Sequence, residues 1–404
     1  MSSFIISDVR LFNGDTVIDN TLILVENGLI TQVGSSVPAS LLDHLPRYSK
    51  PGHTLLPGLI DAHSHPYGDP AQPEQAFRFG ITTLMDLHNT HDNAVQQKQW
   101  ANERKDFPDI KSCHFAATID GGWPWWVEKK LGIDHVCCTS LLHALTNGAD
   151  YIKLMHESGA ALGIPTGEIV QPRAAVQAAV VRAAHAHRLK VIAHALSLSD
   201  TLEVLRAGVD GMAHTFFDAP MTPEVIELYK RSNAWVNPTL AAAGSLTGGG
   251  ADVLKLFSED ERVRCRVAEE TVEQIPRCLH MKSENASLEY AIDGVRQLKA
   301  AGVPIICGSD SAPGATAFGA YLHIEMYMLV SKAGLSPIKV LQASTSTTAD
   351  LFGWTDRGRV APGLKADLLL VEGNPLTDIT DLLNIRGIWR DGVEFRGHSG
   401  FPLQ

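Results

Sequence analysis

The stretch Pro57-Gly58-Leu59-Ile60-Asp61-Ala62-His63-Ser64-His65 decides how the rest of the chain is interpreted. It is an apolar run that ends in two histidines one residue apart. Alternate side chains of an extended strand project to the same face, so His63 and His65 would hold two imidazoles side by side. Neighbouring imidazoles are a common part of a metal site. The motif is short, and its value depends on whether other strands supply further ligands.

The middle of the chain alternates short apolar strands with alanine-rich helices. Eight segments have strand character, namely 59–65, 81–87, 111–118, 151–155, 191–195, 211–214, 235–240 and 304–308. Helical segments between them include 174–187, 198–207, 223–232 and 290–301. This alternation predicts an α/β fold with a parallel sheet, and eight units favour a closed (β/α)8 TIM barrel over an open sheet.

Both ends of the chain are rich in short strands. Segments 4–6, 8–11 and 21–25 at one end, and 366–374 and 388–393 at the other, contain mainly aliphatic residues and are separated by turn signals such as Asn27-Gly28. We therefore expect residues 1–57 and 358–404 to form one small β-sandwich domain. Residues 58–357 would form the barrel.

Further candidate ligands follow the strands of the predicted barrel. The strands 191–195 and 211–214 carry His194 and His214, and Asp310 follows the last strand. Because the active site of such a barrel lies at the carboxyl ends of its strands, we expect these side chains to meet His63 and His65. Each has an ordinary explanation as a buried or capping residue, but their coincidence at one end favours a metal site.

Lys153 lies inside the apolar strand 151–155. A buried ammonium is costly and tends to lose its proton. The neutral amine can add carbon dioxide to form a carbamate, whose two oxygens can bridge two cations. We therefore predict two divalent ions, bridged by carbamylated Lys153 and held by His63, His65 and Asp310 on one side and by His194 and His214 on the other. Zinc suits these ligands best, while manganese, cobalt and iron stay open.

This set of ligands predicts hydrolysis. A water held between two divalent ions loses its proton near neutral pH and becomes a nucleophile. Asp310 is placed to take that proton and deliver it to a leaving group, which makes it the catalytic residue. The expected reaction is cleavage of an amide, lactam or related bond. A metal-dependent lyase such as a decarboxylase is the alternative, and a catalytically silent scaffold is less favoured because no ligand is missing.

The chain resembles the amidohydrolase superfamily over nearly its whole length. Residues 57–65 look like the first metal motif of that family and residues 308–311 like its last, although the family more often has threonine at position 309. Segments 343–353 and 358–368 are similar to the family's approach to its β-sandwich. The lysine and the His194 and His214 pair resemble the lysine-bridged branch of prolidase-like dipeptidases, ochratoxin-type amidases and imidazolonepropionase-related proteins.

The resemblance implies a substrate class and an assembly. Members of this branch cleave an amide in an N-acyl amino acid or dipeptide, so we expect an N-acyl amino acid, an Xaa-Pro-type dipeptide or an aromatic amide. Self-association into a homo-oligomer is also implied. Two departures concern the substrate. His156 stands where the branch tends to have a small residue, and the insert 121–126 has no counterpart that we can place.

Five residues are candidates for contact with the substrate. Trp123 and Trp125 lie in a loop at the predicted mouth of the barrel, where they could form an aromatic wall or simply pack on the rim. His156 is close to Lys153, Asn237 ends the seventh strand, and His280 lies in a long excursion before the eighth. A buried histidine or a strand-end cap explains the last three residues as well.

Composition limits the partners of the chain. A net charge of −11 argues against nucleic acid and anionic membrane surfaces, which select basic patches. No apolar stretch is long enough to span a membrane, and the first residues lack the features of a signal peptide. The six cysteines show no Cys-x-x-Cys spacing, so a disulfide framework is not expected. We therefore expect a cytoplasmic enzyme with a small-molecule substrate.

Overall fold

The structure is a computed structural model that describes residues 3–35, 44–124, 147–398 and 400–402. Within these ranges the fold is α/β. Parallel strands alternate with helices through the middle of the chain, and a larger sheet gathers strands from both ends.

The larger sheet has eight strands of mixed direction. They are β1 (Phe4–Phe12), β2 (Val17–Glu26), β3 (Leu29–Gly34), β4 (Arg47–Ser49), β5 (His53–Pro57), β13 (Leu368–Glu372), β14 (Ile385–Arg390) and β15 (Val393–Glu394). The order is β15-β14-β13-β5-β1-β2-β3, with β4 paired to β1. The two ends of the chain meet where β5 and β13 pair antiparallel, from Pro57 opposite Leu368 to His53 opposite Glu372.

The first strand differs from the two short segments expected at 4–6 and 8–11. The structure has one strand, β1, whose register with β2 shifts between Ser7 and Val9. Asp8, which lies between them, has a φ of 62°, in the left-handed region. A bulge therefore interrupts the pairing without ending the strand.

Seven strands in the middle are parallel and form two sheets. They are β6 (Leu59–Ser64), β7 (Ile81–Asp86) and β8 (Asp109–Ser112) in one sheet, and β9 (Ile152–Met155), β10 (Val191–His194), β11 (Gly211–Met212) and β12 (Trp235–Val236) in the other. Isolated parallel bridges extend this pairing, from Ala117 to Leu154, from Val236 to Ile305 and from Ser64 to Ser311. Residues 305–311 therefore contact both β12 and β6. The structure has bridges here in place of the full strand expected at 304–308.

Helices connect these strands and cover them. They are α1 (Ala71–Arg78), α2 (His91–Glu103), α3 (Ala174–Ala186), α4 (Leu198–Ala207), α5 (Pro223–Ser232), α6 (Leu240–Thr247), α7 (Ala251–Glu259), α8 (Glu261–Arg264), α9 (Glu269–Gln274), α10 (Leu288–Ala300), α11 (Ala320–Ser331), α12 (Pro337–Ala343) and α13 (Ser346–Leu351). A 3-10 helix, Ile379–Leu383, and a two-stranded ribbon of β16 (Gly397–His398) with β17 (Phe401–Pro402) complete the elements.

The helices expected at 198–207 and 223–232 are confirmed with the same bounds. Their ends are encoded locally. The side chains of Ser197 and Thr222 cap the two amino termini, and Gly208 and Asn233 end the helices in the left-handed conformation.

No helix among the described residues is long and apolar enough to cross a membrane. The four cysteines that the structure describes, Cys113, Cys265, Cys278 and Cys307, are free thiols. Cys137 and Cys138 lie outside the described residues.

Arg390 ties the larger sheet to the end of α2. The guanidinium is buried, and its Nη1 donates to the carbonyl oxygens of Ala101, Arg104 and Phe107 at 2.7, 2.8 and 2.6 Å. One side chain in β14 thus satisfies three carbonyls between the carboxyl end of a helix and the start of β8.

We expect Arg390→Met to lower the free energy of unfolding by about 3 kcal/mol, because three carbonyl acceptors lose their donor while the apolar stem keeps its packing. Denaturant titration would measure the loss. Arg396→Met is the matched control, since the side chain of Arg396 is 85% exposed and pairs with Glu394 alone at 3.6 Å. Equal stability of the two variants would contradict this role for Arg390.

Candidate metal centre

Three of the expected ligands meet at the end of β6 and the segment after residue 308. The Nε2 atoms of His63 and His65 are 3.1 Å apart. Each of them lies 3.2 Å from Oδ1 of Asp310. The alternation within β6 therefore places both imidazoles against the same carboxylate.

Two further histidines adjoin this group, one at the end of β10 and one two residues after β11. His194 Nδ1 and His214 Nε2 are 2.9 Å apart, and the rings of His63 and His214 have centroids 5.0 Å apart. One ligand atom from each of His63, His214 and Asp310 falls within 4.8 Å of the others. The structure thus brings together the five histidine and aspartate side chains that the sequence predicted as metal ligands.

Oxygen atoms lie close to the outer ring nitrogens of three of these histidines. Nδ1 of His63 is 3.3 Å from the carbonyl oxygen of Ala213, and Nδ1 of His214 is 2.7 Å from the hydroxyl of Thr239. Nε2 of His194 is 3.1 Å from Oε2 of Glu157. A neutral imidazole that donates its single N–H outward keeps the lone pair of its other nitrogen directed inward, which is how metal-binding histidines are commonly oriented.

Burial keeps these imidazoles neutral. It lowers the pKa of His194 to about 3, and the positive charge of Lys153 acts in the same direction. Burial is also the main cause that lowers the pKa of His63 and of His214 well below the usual value. Near neutral pH each of these rings therefore carries one proton, and its other nitrogen offers a lone pair to a metal ion.

Lys153, in β9, has a fully buried side chain. Its Nζ has no hydrogen-bond partner among the residues that the structure describes. Burial lowers the pKa of this amine to about 8, although the charge of Asp310 opposes the shift. Part of an amine with this pKa is neutral near pH 7, and the neutral form is the one that can be modified.

Asp61 holds the ends of β6 and the last segment together. Its Oδ1 accepts hydrogen bonds from the backbone N–H groups of His63 and Ser309, at 3.1 and 2.8 Å, and its Oδ2 accepts one from the Ser309 hydroxyl at 2.6 Å. Burial raises the pKa of this carboxyl to about 7. These bonds fix the positions of His63 and of Asp310, the residue after Ser309.

The approach of the two segments leaves space only for glycine at position 308. A Cβ atom on Gly308 would lie 2.5 Å from Nδ2 of Asn237 and 2.6 Å from the backbone nitrogen of His63. Asp310 has a φ of 55°, in the left-handed region that non-glycine residues seldom adopt. Such strain is commonly found at functional sites, where the surroundings hold the residue in place.

The spacing of these atoms fits a bound cation. Ligand atoms at about 2.0–2.2 Å from a tetrahedral ion lie roughly 3.3 Å from one another. The contacts among His63, His65 and Asp310 have this length, and so, within a few tenths of an ångström, does the contact between His194 and His214. Inward lone pairs at this spacing, beside a buried amine without a partner, can hold divalent metal.

The site opens into a cavity of about 240 Å³. His65, Lys153, His194, His214 and Asp310 lie on its wall. Trp123 also lines it, with its ring stacked on that of His194 at a centroid distance of 5.6 Å. Trp125, the other tryptophan expected to contact the substrate, lies outside the described residues.

The remaining candidates for substrate contact lie apart from the described wall of this cavity. His156 is buried, with Nδ1 at 3.1 Å from Gln177 Nε2 and Nε2 at 3.3 Å from Glu203 Oε2. Asn237 is buried beside Gly308. His280 is exposed, although its neighbours Leu279 and Met281 line the cavity.

Sequence reasoning missed three residues that shape the site: Glu157, Asp61 and His88. Asp61 and His63 are two residues apart in one strand, and that spacing is a signal that could have indicated a shared face. His88 lines the cavity two residues after β7, another strand end. Glu157 reaches His194 from a loop and carries no comparable signal.

Most of the chain matches one known protein family. The sequence model of the Amidohydrolase family matches residues 54–394. An imidazolonepropionase of Cereibacter sphaeroides is 40% identical over 109 residues, which make up 26% of this chain and 25% of that protein. The chain thus aligns with about a quarter of the length of the curated relatives it matches.

Solved structures resemble the whole chain. A Xaa-Pro dipeptidase with methionine bound in its active site has a TM-score of 0.76 and 23% identity, over 98% of this chain and 100% of that one. Ochratoxinase of Aspergillus niger has a TM-score of 0.73 and 19% identity, over 98% and 95%. At these identities the likeness shows a shared fold.

Glu325 anchors the start of α6, next to the residue that contacts His214. This fully buried residue of α11 accepts a hydrogen bond through Oε2 from the backbone N–H of Ala241, at 2.8 Å, in the first turn of α6. Thr239, whose hydroxyl contacts His214, immediately precedes α6. Burial raises the pKa of Glu325 to about 8 from an ordinary value of 4.5.

Because the folded chain resists ionisation of Glu325, its stability should fall as pH rises from about 5 to 8. Glu325→Gln keeps an acceptor for Ala241 and removes the ionisable proton. The unfolding free energy of the variant minus that of the wild type should therefore increase with pH, by up to about 1.4 kcal/mol for each pH unit in this window. Denaturant titrations at several pH values test this, with Glu227→Gln, 75% exposed, as control. A difference that stays constant with pH would contradict the assignment.

Proposed function

The chain belongs to the amidohydrolase family, and from that premise we propose that it is a metal-dependent hydrolase that cleaves an amide or peptide-like C–N bond of a small molecule. One observation carries the proposal. Four imidazoles, one carboxylate and one buried amine meet at one place, and all of them except His63 line the same cavity. The family relationship makes hydrolysis the reaction that best fits this set.

The fold that we propose for this activity is a closed (β/α)8 barrel of residues 58–357, with a β-sandwich domain of residues 1–57 and 358–404. Support comes from the parallel pairing of neighbouring strands from β6 to β12. Residues 305–311 continue this pairing, because they contact β12 on one side and β6 on the other. Both ends of the chain contribute to one eight-stranded sheet, as such a composite domain requires.

Two divalent ions would be held by the side chains already described. His63, His65 and Asp310 would hold one ion, His194 and His214 the other, with a carbamate on Lys153 between them. Zinc suits this mixture of nitrogen and oxygen donors. When bound, such ions lower the pKa of a water to near neutrality and polarise a carbonyl group.

The chain's own residues would perform the remaining work. The side chain of Asp310 is 24% exposed to the cavity, so its carboxylate can accept a proton from water and return one to the leaving amine. Glu157, Thr239 and the carbonyl of Ala213 hold three imidazoles in one tautomer. Trp123 closes one side of the cavity against solvent. A homo-oligomeric state and a cytoplasmic location stay predictions.

Asp310→Asn should abolish turnover, because an amide cannot accept the proton. The variant should still bind metal, since its carbonyl oxygen keeps a donor in place. Activity assays and elemental analysis on the same sample would measure both effects. Asp252→Asn, an exposed change, is the control. Retained turnover in Asp310→Asn would contradict the proton-transfer role.

Lys153→Ala should lose one or both ions, because the bridging group is gone. Elemental analysis should give fewer ions per chain than the wild type, and short carboxylic acids added to the buffer should restore part of the content. The exposed change Lys255→Ala should leave the metal content intact. Full metal content in Lys153→Ala would exclude a bridging role for this residue.

A further inference from the structure

We propose that the substrate is an uncharged, largely apolar molecule and that His88 donates a hydrogen bond from its Nε2–H to an acceptor atom of that substrate. This inference rests on the proposed function and narrows its substrate class. It favours the aromatic amide among the substrates considered above over those that carry a free carboxylate.

The first support is the wall of the cavity beyond the ligands. Most of its side chains are apolar, among them Trp123, Leu162, Leu196, Leu246, Leu279 and Met281. Among the described residues on this wall, Lys153 is the only lysine and there is no arginine. On the part of this wall away from the metal ligands, a substrate carboxylate would lose its hydration without gaining a cationic side chain from the described residues, which is strongly unfavourable.

Two arginines of the neighbouring helices, Arg78 and Arg262, form hydrogen bonds with other protein groups. Arg262 of α8 binds Asp260 through Nε and Nη2, at 3.0 and 2.6 Å, and its Nη1 donates to Asn384. Arg78 donates through Nε to the carbonyl of Arg266 at 2.7 Å. None of these side chains lies on the described wall of the cavity.

The second support is the hydrogen bonding of His88. Its ring is fully buried and lines the cavity. The backbone N–H of Ala116 donates to Nδ1 at 3.2 Å, so in the neutral ring the proton is on Nε2. That Nε2 has no partner among the described residues. A buried donor left unpaired is costly, and a substrate acceptor would satisfy it.

The ring also lacks a charge. Burial lowers the pKa of His88 to about 3, so the imidazole is neutral near pH 7. Its neighbour Tyr67 also lines the cavity, with its ring centroid 6.5 Å from that of His88, and a tyrosine hydroxyl is a neutral donor. The polar groups on this part of the wall are therefore neutral donors, which suit a carbonyl or similar uncharged acceptor.

The third support is size. The cavity of about 240 Å³ is smaller than the roughly 300–1,000 Å³ typical of sites for drug-sized ligands. It suits a substrate with a single aromatic ring. Acetanilides are therefore suitable probes, since both their acyl and aryl parts are small.

The experiment compares two acetanilides whose para substituents have nearly the same shape, carboxymethyl and carbamoylmethyl, of which only the first is charged. Aniline release by the metal-loaded full-length chain gives kcat/KM for each. We expect the uncharged probe to be preferred at least about 100-fold. Equal turnover, or preference for the carboxylate, would overturn the inference.

A second arm tests His88 directly. His88→Phe should lower kcat/KM for the carbamoylmethyl probe about 10- to 100-fold, because it keeps the bulk and removes the donor. His88→Gln, which can donate from a similar position, should recover part of the loss. Metal content should be unchanged in both, as in the exposed control His187→Phe. His88→Phe should also lower the melting temperature, because the backbone N–H of Ala116 loses its acceptor, so kcat/KM is measured well below that temperature. Wild-type kcat/KM in His88→Phe would overturn the role of His88.

The outcomes separate this inference from the proposed function. Hydrolysis of N-acyl amino acids, dipeptides or lactams without aniline release from either probe would overturn the inference and leave the function standing. Failure of the metal-loaded chain to hydrolyse any of these compounds would overturn both.

Discussion

Four imidazoles, an amine and a carboxylate share a space that water hardly reaches, so any charge there must be balanced by its neighbours. Burial favours the neutral form of His63, His194 and His214, and oxygen atoms lie beside the outer nitrogens of these three rings. Protein groups alone leave the amine of Lys153 without a partner. A cluster of this kind is costly by itself, and bound cations would relieve the cost because they accept the lone pairs and balance anionic oxygen donors.

The strands can deliver these side chains because their ends are held together. Asp61 connects the backbone of His63 with Ser309, and Gly308 permits the close approach of the two segments. Glu325 performs a similar task behind His214 by anchoring the start of α6. The positions of the ligands therefore depend on carboxylates that never reach the cavity. Their burial raises the pKa of both, which links the geometry of the site to pH.

Much of the candidate site could be predicted from the sequence because its ligands follow strand periodicity. His63 and His65 share a face of one strand, and His194 and His214 stand at the ends of two others. His156 follows Lys153 by three residues, and this odd spacing directs its side chain away from the cavity. Closeness to Lys153 in the sequence therefore did not predict contact with the substrate. Glu157 acts through a contact between distant segments, which no local pattern encodes. Helix ends with good caps were predicted to the residue, whereas β11 and β12 pair over two residues only and are shorter than the strands predicted at 211–214 and 235–240.

We propose that His63, His65, Lys153, His194, His214 and Asp310 surround divalent metal and that Lys153 is carbamylated. The most direct measurement is a crystal structure of the chain prepared with zinc, with diffraction recorded on both sides of the zinc absorption edge. We expect anomalous peaks in contact with His63, His65, His194, His214 and Asp310, and density for a carbamate on Nζ of Lys153. Absence of any peak at these side chains, together with an unmodified amine pointing away from them, would contradict it.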